Sequence, residues 1–355
     1  MHLALGIIML SIHLVTWNGA KYLPYFFAFL KHQTFKDWEL FVLDNSSTDE
    51  STAMIERACS VLEQPTHIFR NDTNVGFARG YNQLLRQSAG DLQLIVNQDI
   101  IMADDCLGKL VRTITWHDEA AAVAPLLFRW DTSPNVEHTC TDKIDAFGLK
   151  VFRNRRVVEW LSGLSLDEID KQIQQFSNFR FVEVFGVSGT LALFRRDALM
   201  ATAFADGTIF DETYGSYKED VDLAYRLRSA GYRAFIVCNA AAYHARSAAP
   251  TDSLSDISGA KHKASQPATV RKSSYVNHLV TLYKNEYWQN FLLDFPFIFW
   301  YEWKKFAYFL LFDRKVLTGL GDLWQRRGEM QEKRRQIVSK RKVEWREVRK
   351  WYARH

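Results

Sequence analysis

Short apolar runs ending in polar turns recur through the first 244 residues, and between them apolar side chains fall at every third or fourth position. Residues 5–16, 39–43, 67–70 and 92–96 read as strands. Between them, residues 20–31 place Tyr22, Leu23, Phe26, Phe27 and Leu30 on one helical face, and residues 77–88 form another helix. Ser47 stands three before Glu50, the spacing of a capping box that opens a helix toward residue 63. Further on, 104–116 reads as a helix and 120–127 as a strand, after which periodicity fades, so 128–181 is expected to be an irregular insertion near the site. A flexible turn at 186–190 precedes a strand at 191–194, and a short helix starts at 195–197. The helix at 219–228 turns Leu223 and Leu227 inward, carries an Asp222/Arg226 pair at i, i+4 and ends on Gly231. The last strand starts at 233–237 and runs on to His244.

Alternating strands and helices of this kind predict an α/β fold, a mostly parallel sheet with helices on both faces. A catalytic domain is expected over 1–247, a Ser, Ala and Pro-rich linker or mobile loop over 248–268, and a helical extension over 269–355 with helices at 270–284 and 288–312. The apolar start of the chain contains His13, lacks a basic leader and has no small-residue cleavage site, so it reads as the first strand rather than a signal peptide. No run reaches the ~18 uninterrupted apolar residues of a membrane span.

Composition changes this picture only at the C-terminal end. The net charge of +4 conceals 12 Lys or Arg against four Glu between residues 326 and 354, which leaves the first 325 residues mildly acidic. Residues 288–312 mix Trp, Tyr and Phe with Lys. Aromatic and basic residues in this combination settle at lipid headgroups, so an anionic membrane surface is the expected partner; the same segment would also suit helices packed on the catalytic domain with a solvated charged end. No recognised nucleic-acid-binding module accompanies the charge, so no nucleic acid is expected. Cys59, Cys106, Cys140 and Cys238 lie far apart with no CxxC pair, which predicts free thiols and neither a disulfide framework nor a zinc site.

The candidate chemistry sits at strand ends. In open α/β sheets, ligands bind beyond the carboxyl ends of strands, and both Asp44 and Asp99 fall there, although a strand-terminal Asp is also a good turn former. The loop from Asn74 through Gly76 and Arg79 to Asn82 offers backbone amides at a helix start and an arginine, which is what a diphosphate requires. Asp211-Glu212 and Glu219-Asp220 supply paired carboxylates around Tyr214-Gly215-Ser216; acids in a first helical turn also satisfy the macrodipole. His244 ends a strand beside the same edge, where it is either a ligand or a surface histidine.

The ordered set Thr16-Trp17-Asn18, Val42-Leu43-Asp44-Asn45-Ser46-Ser47-Thr48-Asp49, Asn74 to Asn82, Val96-Asn97-Gln98-Asp99, Phe210-Asp211-Glu212 and Glu219-Asp220-Val221-Asp222-Leu223 resembles the family 2 glycosyltransferases, with Arg226, Gly231-Tyr232 and His244 continuing the match. The subgroup it is most similar to is that of rhamnosyltransferase-like enzymes of bacterial surface polysaccharide (O-antigen) assembly. The resemblance implies a GT-A fold with a Rossmann-like nucleotide-binding sheet, a nucleotide-sugar donor, best guess dTDP-rhamnose, and inversion at the anomeric carbon. It implies that Asp44 meets the base; that Thr16, Asn18, Asn74, Gly76, Arg79, Asn82, Asn97 and Gln98 line the nucleotide sugar; that Asp99 and His244 hold Mg²⁺ or Mn²⁺; and that Asp220, with Glu219 as the alternative, is the general base. Asn97 departs from the DXD pattern because an amide brings no charge to a cation. A lipid-linked saccharide acceptor at the cytoplasmic face of the membrane is also implied, with the protein peripheral to it. A nucleotidyltransferase and a catalytically silent, sugar-nucleotide-binding assembly subunit are the alternatives, and oligomeric state is left open.

Overall fold

The computed structural model describes residues 8–132, 139–172, 178–245 and 267–353. The first half runs β1 (Leu10–Thr16), α1 (Leu23–His32), β2 (Trp38–Asp44), α2 (Ser51–Cys59), β3 (Thr66–Arg70), α3 (Gly76–Gln87) and β4 (Leu92–Asn97). There follow β5 (Ile100–Met102), α4 (Cys106–Trp116), β6 (Ala120–Asp131), β7 (Thr139–Ala146), β8 (Leu149–Phe152), β9 (Val157–Glu159), α5 (Leu166–Gln172), β10 (Phe181–Val184), β11 (Leu191–Arg195), α6 (Arg196–Thr202), α7 (Glu219–Ser229) and β12 (Arg233–His244). The C-terminal part comprises α8 (Ala268–Asn285), α9 (Trp288–Phe312), α10 (Arg314–Leu317), α11 (Gly319–Gln325), α12 (Arg327–Ser339), α13 (Trp345–Arg349) and β13 (Tyr352–Ala353).

The main sheet has the order β10-β12-β6-β11-β4-β1-β2-β3, with β5 added to β12 and β7 to β6. Strands β3, β2, β1 and β4 pair in parallel, and so do β12 and β6, whereas β11 is antiparallel to both β4 and β6. Because β1, β2 and β4 run the same way and in register, Thr16, Asp44 and Asn97 emerge at one edge. The strands there are buried on both faces, Ile12, Leu14, Leu40, Val42, Leu94 and Val96 on one and Phe41, Leu43 and Ile95 on the other. After a register shift between Val237 and Ala241, β12 keeps pairing with β6 as far as Arg129 and also takes β5 on its other side, which puts His244 alongside Ile100, next to Asp99.

Two sequence expectations are corrected here. The segment 128–181 is ordered over most of its length: β7 extends the main sheet, and β8 and β9 make a second small sheet with β13. Its strands escaped notice because they are short and carry charged residues between the apolar ones, as in Lys143-Ile144-Asp145-Ala146. The capping box does not form either. The Ser47 hydroxyl accepts from the Asn18 amide at 2.9 Å, α2 begins only at Ser51, and Asp49 accepts from the Ser51 amide at 3.0 Å. Most of the expected linker, 248–266, lies outside the described residues, as do residues 5–7 of the expected first strand.

The basic segment after residue 326 is folded onto the catalytic part rather than free. Lys333 pairs with Asp211 at 2.6 Å, Arg349 with Asp294 at 2.9 Å, and the Lys342 amide donates to the Ser229 carbonyl at 2.9 Å. Lys333 and Arg349 thereby meet carboxylates outside the segment, whereas Arg335 and Lys350 pair with Glu332 and Glu347 within it and stay exposed. Among the described residues, no helix is long and apolar enough to cross a membrane, and all four cysteines are free.

Candidate active site

The strand edge presents three groups of side chains. Beyond β1 and β2, Thr16 donates to the Gln98 side-chain carbonyl, the Trp17 amide donates to the same oxygen at 3.1 Å, and Asn18 accepts from the Thr48 amide at 2.8 Å. The Asp44 carboxylate accepts from the Ser47 amide at 3.0 Å and from the Thr52 hydroxyl, which fixes the turn after β2. Asn74 accepts from Asn45 and from the Gly76 amide, both at 2.9 Å, shaping the turn that starts α3. Gly76 is required in that turn. Its φ is +81°, and a Cβ there would stand 2.9 Å from the Gly215 carbonyl oxygen.

Arg79 points to solvent and pairs with Glu212 at 3.0 Å. Asn82, expected along the nucleotide, has another role. It is 1% exposed, donates to the Phe210 carbonyl at 2.8 Å and accepts from the Ile209 and Phe210 amides, so it fastens the Asp211 loop to α3.

Beyond β4 and β12, the Asp99 carboxylate lies 3.3 Å from Nε2 of His244, whose Nδ1 is 2.8 Å from Asp145. Burial alone would lower the His244 pKa, but the two carboxylates facing its ring raise it to about 9. Asp145 is fully buried and was not foreseen. A carboxylate lying between Ile144 and Ala146 on β7 is the only sequence signal it gives. The Asp99 and His244 donors fit a cation: adjacent ligands bonded at about 2.1 Å to one octahedral ion stand roughly 3 Å apart. A carboxylate behind the ligating imidazole is the arrangement that fixes its tautomer. No group of three or more His, Cys, Asp or Glu set to hold a metal occurs among the described residues.

Glu219 and Asp220 open α7. Immediately before them, Tyr217 and Lys218 have φ of 74° and 76°, a left-handed pair without glycine. Asn277 of α8 donates to the carbonyls of Tyr214, Ser216 and Tyr217 at 3.0, 3.0 and 2.8 Å and so holds this turn. Behind it Lys284, fully buried, pairs with Asp211 at 2.5 Å and Asp222 at 2.9 Å. Burial opposes ionisation of Asp211, but Lys284 and Lys333 together hold its carboxyl well below the usual range.

Asp220 is partly exposed and accepts from the Gly189 amide at 3.2 Å, while the next residue, Thr190, accepts from the Asn97 amide at 2.9 Å. The 186–190 turn thus joins the base side of the cleft to the Asp99 side. Glu219 differs. Burial, reinforced by the Asp220 charge, pushes its carboxyl up to about 8, and its Oε2 has no hydrogen-bond partner. At neutral pH it is a protonated acid and cannot accept a proton, which favours Asp220 of the two. Burial and then the Asp99 and Glu219 charges raise the Tyr81 phenol, which donates to the Val96 carbonyl at 2.8 Å between the two halves of the site.

A sequence profile for glycosyl transferase family 2 matches residues 11–202, just over half of the 355. The chain belongs to that family. The family 2 match stops before α7 and the whole C-terminal part. Solved structures extend the likeness in fold. GalNAc-T7 with UDP, GalNAc and Mn²⁺ superposes with a TM-score of 0.58 at 12% identity, over 78% of this chain and 48% of that one, so this chain spans about half its length. S. aureus TarS 1–349 in complex with UDP gives 0.53 at 15% identity, over 96% and 90%. The mannosyltransferase PcManGT from Pyrobaculum calidifontis, in complex with GDP-Man and Mn²⁺, gives 0.50 at 16%, over 93% and 86%. No curated protein matches the sequence. The fold of this family 2 glycosyltransferase is accordingly of the GT-A type, a mixed, mostly parallel sheet flanked by helices, with a helical C-terminal extension.

Proposed function

We propose that this protein transfers a sugar from a nucleoside diphosphate donor to a hydroxyl of a lipid-linked saccharide, with inversion and with Asp220 as general base. The observation that carries the reading is the convergence, across the 186–190 turn, of the Asp99–His244 pair and the Asp220 carboxylate on one sheet edge. Solved structures of similar fold hold UDP or GDP-Man, two of them with Mn²⁺, which supports a nucleotide-sugar donor and a divalent cation. The motif resemblance favours dTDP-rhamnose as donor and surface polysaccharide as product, and a lipid-borne acceptor puts the enzyme at the inner face of the membrane as a peripheral protein.

In this mechanism the turn after β2, with Asp44, receives the base, and the Asn74 to Arg79 loop lies along the diphosphate. Asp99 and His244, with help from the Asn97 amide, would hold Mg²⁺ or Mn²⁺, which supplies positive charge to the departing diphosphate. Asp220, on the opposite side of the anomeric carbon, takes the proton of the acceptor hydroxyl as its oxygen bonds to that carbon. The carbon–oxygen bond to the diphosphate breaks with its electron pair leaving on the nucleotide, and a single displacement inverts the centre. Asn277, Lys284 and Asn82 touch none of the reacting atoms and hold the loop that presents the base.

The test is release of nucleoside diphosphate from a panel of dTDP-, UDP- and GDP-sugars with Mg²⁺ or Mn²⁺ and membrane extract as acceptor. Release from one donor that disappears in Asp220→Asn supports the reading. Undiminished release in that variant removes Asp220 from the role, and saturable donor binding without release under any condition points to a silent subunit.

A further inference from the structure

Helix α9 is built inside out. Its inward stripe is Asn290, Asp294, Ile298, Glu302 and Lys305, spaced by four, four, four and three residues. Asn290 and Asp294 are fully buried, Asp294 between the guanidinium groups of Arg153, Arg155 and Arg349, and Glu302 is paired with His278 at 2.8 Å and Lys305 at 3.1 Å. The outward surface is apolar: Trp288, Leu292, Phe299, Trp300, Leu311 and Phe312 are 54–73% exposed, and seven more large apolar side chains of the helix lie open beside them. A helix packed on a soluble domain shows the reverse polarity. Twenty-five residues give this face a length of about 37 Å, far beyond the scattered exposed apolar residues of ordinary surfaces.

We propose that the outward face of α9 lies in the plane of an anionic lipid surface, with its aromatic side chains among the acyl chains and Arg314 and Lys315 at the headgroups. The inference rests on the reading of the acceptor as lipid-borne, and it narrows the expected contact, residues 288–312 together with the basic segment, to α9. Charge decides between lipid and a second copy of the chain. Both acids of α9 are turned inward, Asp313 at its end is taken by Arg271 at 2.7 Å, and Arg314 and Lys315 are exposed. Two such faces would bring cations together, whereas an anionic headgroup layer is complementary to them. The helix lacks the continuous apolar sequence of a span, and its polar stripe is fastened to the protein, so it lies on the bilayer rather than through it. The surface is one helix away from the site, since His278, which receives Glu302, follows Asn277, which holds the turn before Asp220.

The experiment is co-sedimentation of the full chain with vesicles of phosphatidylglycerol and phosphatidylethanolamine, and with neutral phosphatidylcholine vesicles, alongside light scattering for mass. The expected result is a monomer that binds anionic vesicles about tenfold or more tightly than neutral ones. Leu311→Glu with Phe312→Glu, at positions already exposed, loses binding by about tenfold or more while keeping its melting temperature. Arg335→Glu with Lys350→Glu, in the basic segment, leaves binding unchanged. No binding to either vesicle, a dimer that the Leu311→Glu/Phe312→Glu variant dissociates, or loss of binding in the Arg335→Glu/Lys350→Glu variant overturns the proposal. Nucleoside diphosphate release, measured separately on the same protein with the donor panel and membrane extract as acceptor, tests the transfer reading: release without vesicle binding refutes only the lipid face, and vesicle binding without release from any donor refutes only the transfer.

Discussion

Replacing Asn277 by Ala removes a side chain that holds the turn before Asp220, the proposed base. Its amide nitrogen reaches three carbonyls at 2.8–3.0 Å with two hydrogens, so at least one hydrogen is shared. At about 1 kcal/mol net per hydrogen bond, the side chain stabilises the turn by roughly 2–3 kcal/mol. Tyr217 and Lys218 both sit at positive φ, and each left-handed residue costs about 1–2 kcal/mol. The two quantities are of the same size, so without Asn277 the turn relaxes toward ordinary backbone geometry and Asp220 leaves its position. A shift of about 2 kcal/mol depopulates the competent turn roughly 30-fold.

Asp44 and Asn74, assigned to the nucleotide, are held by contacts outside this turn and stay in place. In Asn277→Ala, kcat is therefore expected to fall about 30-fold while the dissociation constant for the donor, measured by calorimetry, stays within a factor of about three. Asn277→Asp, of the same size but with no hydrogen to donate toward the carbonyls, falls at least as far. A variant that keeps full kcat refutes the reasoning. So does one that loses kcat and donor affinity in equal measure, because that pattern belongs to general unfolding of the cleft.

Four other substitutions separate chemistry from scaffolding. Glu219→Gln retains transfer within a few-fold, whereas Asp220→Asn loses about 10²–10⁴-fold in kcat; equal losses in the two would restore Glu219 as a candidate base. The Glu219 pKa rises from 4.5 to about 8 on folding. The folded state therefore holds the proton more tightly, and the resulting stability is present at acid pH and lost as pH rises from 4.5 to 8, a slope in urea midpoints that Glu219→Gln should lack. Gly76→Ala places a methyl 2.9 Å from the Gly215 oxygen at φ +81°, so donor affinity should fall about tenfold or more; unchanged affinity would show that the two loops separate freely. Lys284→Met leaves Asp211 and Asp222 short of a buried cation and should destabilise the fold by about 3–5 kcal/mol in chemical denaturation.

What the sequence reveals and hides follows from the range of the forces involved. The strands into Asp44 and Asp99 and the helix after Gly76 are local objects, legible because alternating burial, turn residues and strand ends leave a periodic trace within ten residues. Asp145 left almost none: it becomes significant only when β7 pairs with β6 and brings it 2.8 Å from a histidine 99 positions away. The contacts that bury Asn82 are hidden for a related reason. A motif fixes which residue recurs near a nucleotide loop, but the partner that takes its amide, the Ile209 to Phe210 backbone, lies 127 and 128 residues on.

The C-terminal part shows the limit most clearly. Four residues of α9 at intervals of four, Asn290, Asp294, Ile298 and Glu302, already form a mostly polar stripe in an aromatic helix, and that much is written in the sequence. Periodicity alone cannot say which side faces the protein, and a polar stripe on a helix ordinarily faces water. The answer depends on Arg153 and Arg155 arriving from the turn after β8, and on Arg349 from the last helix; these cations make Asp294 the inner side and leave the aromatic side outward. The same pairing removes Arg349 from the surplus of positive charge that made the tail look like the lipid anchor. Charge counted along a chain therefore overstates what the surface carries, and the polarity of a helix acquires a direction only once its buried counter-ions are known.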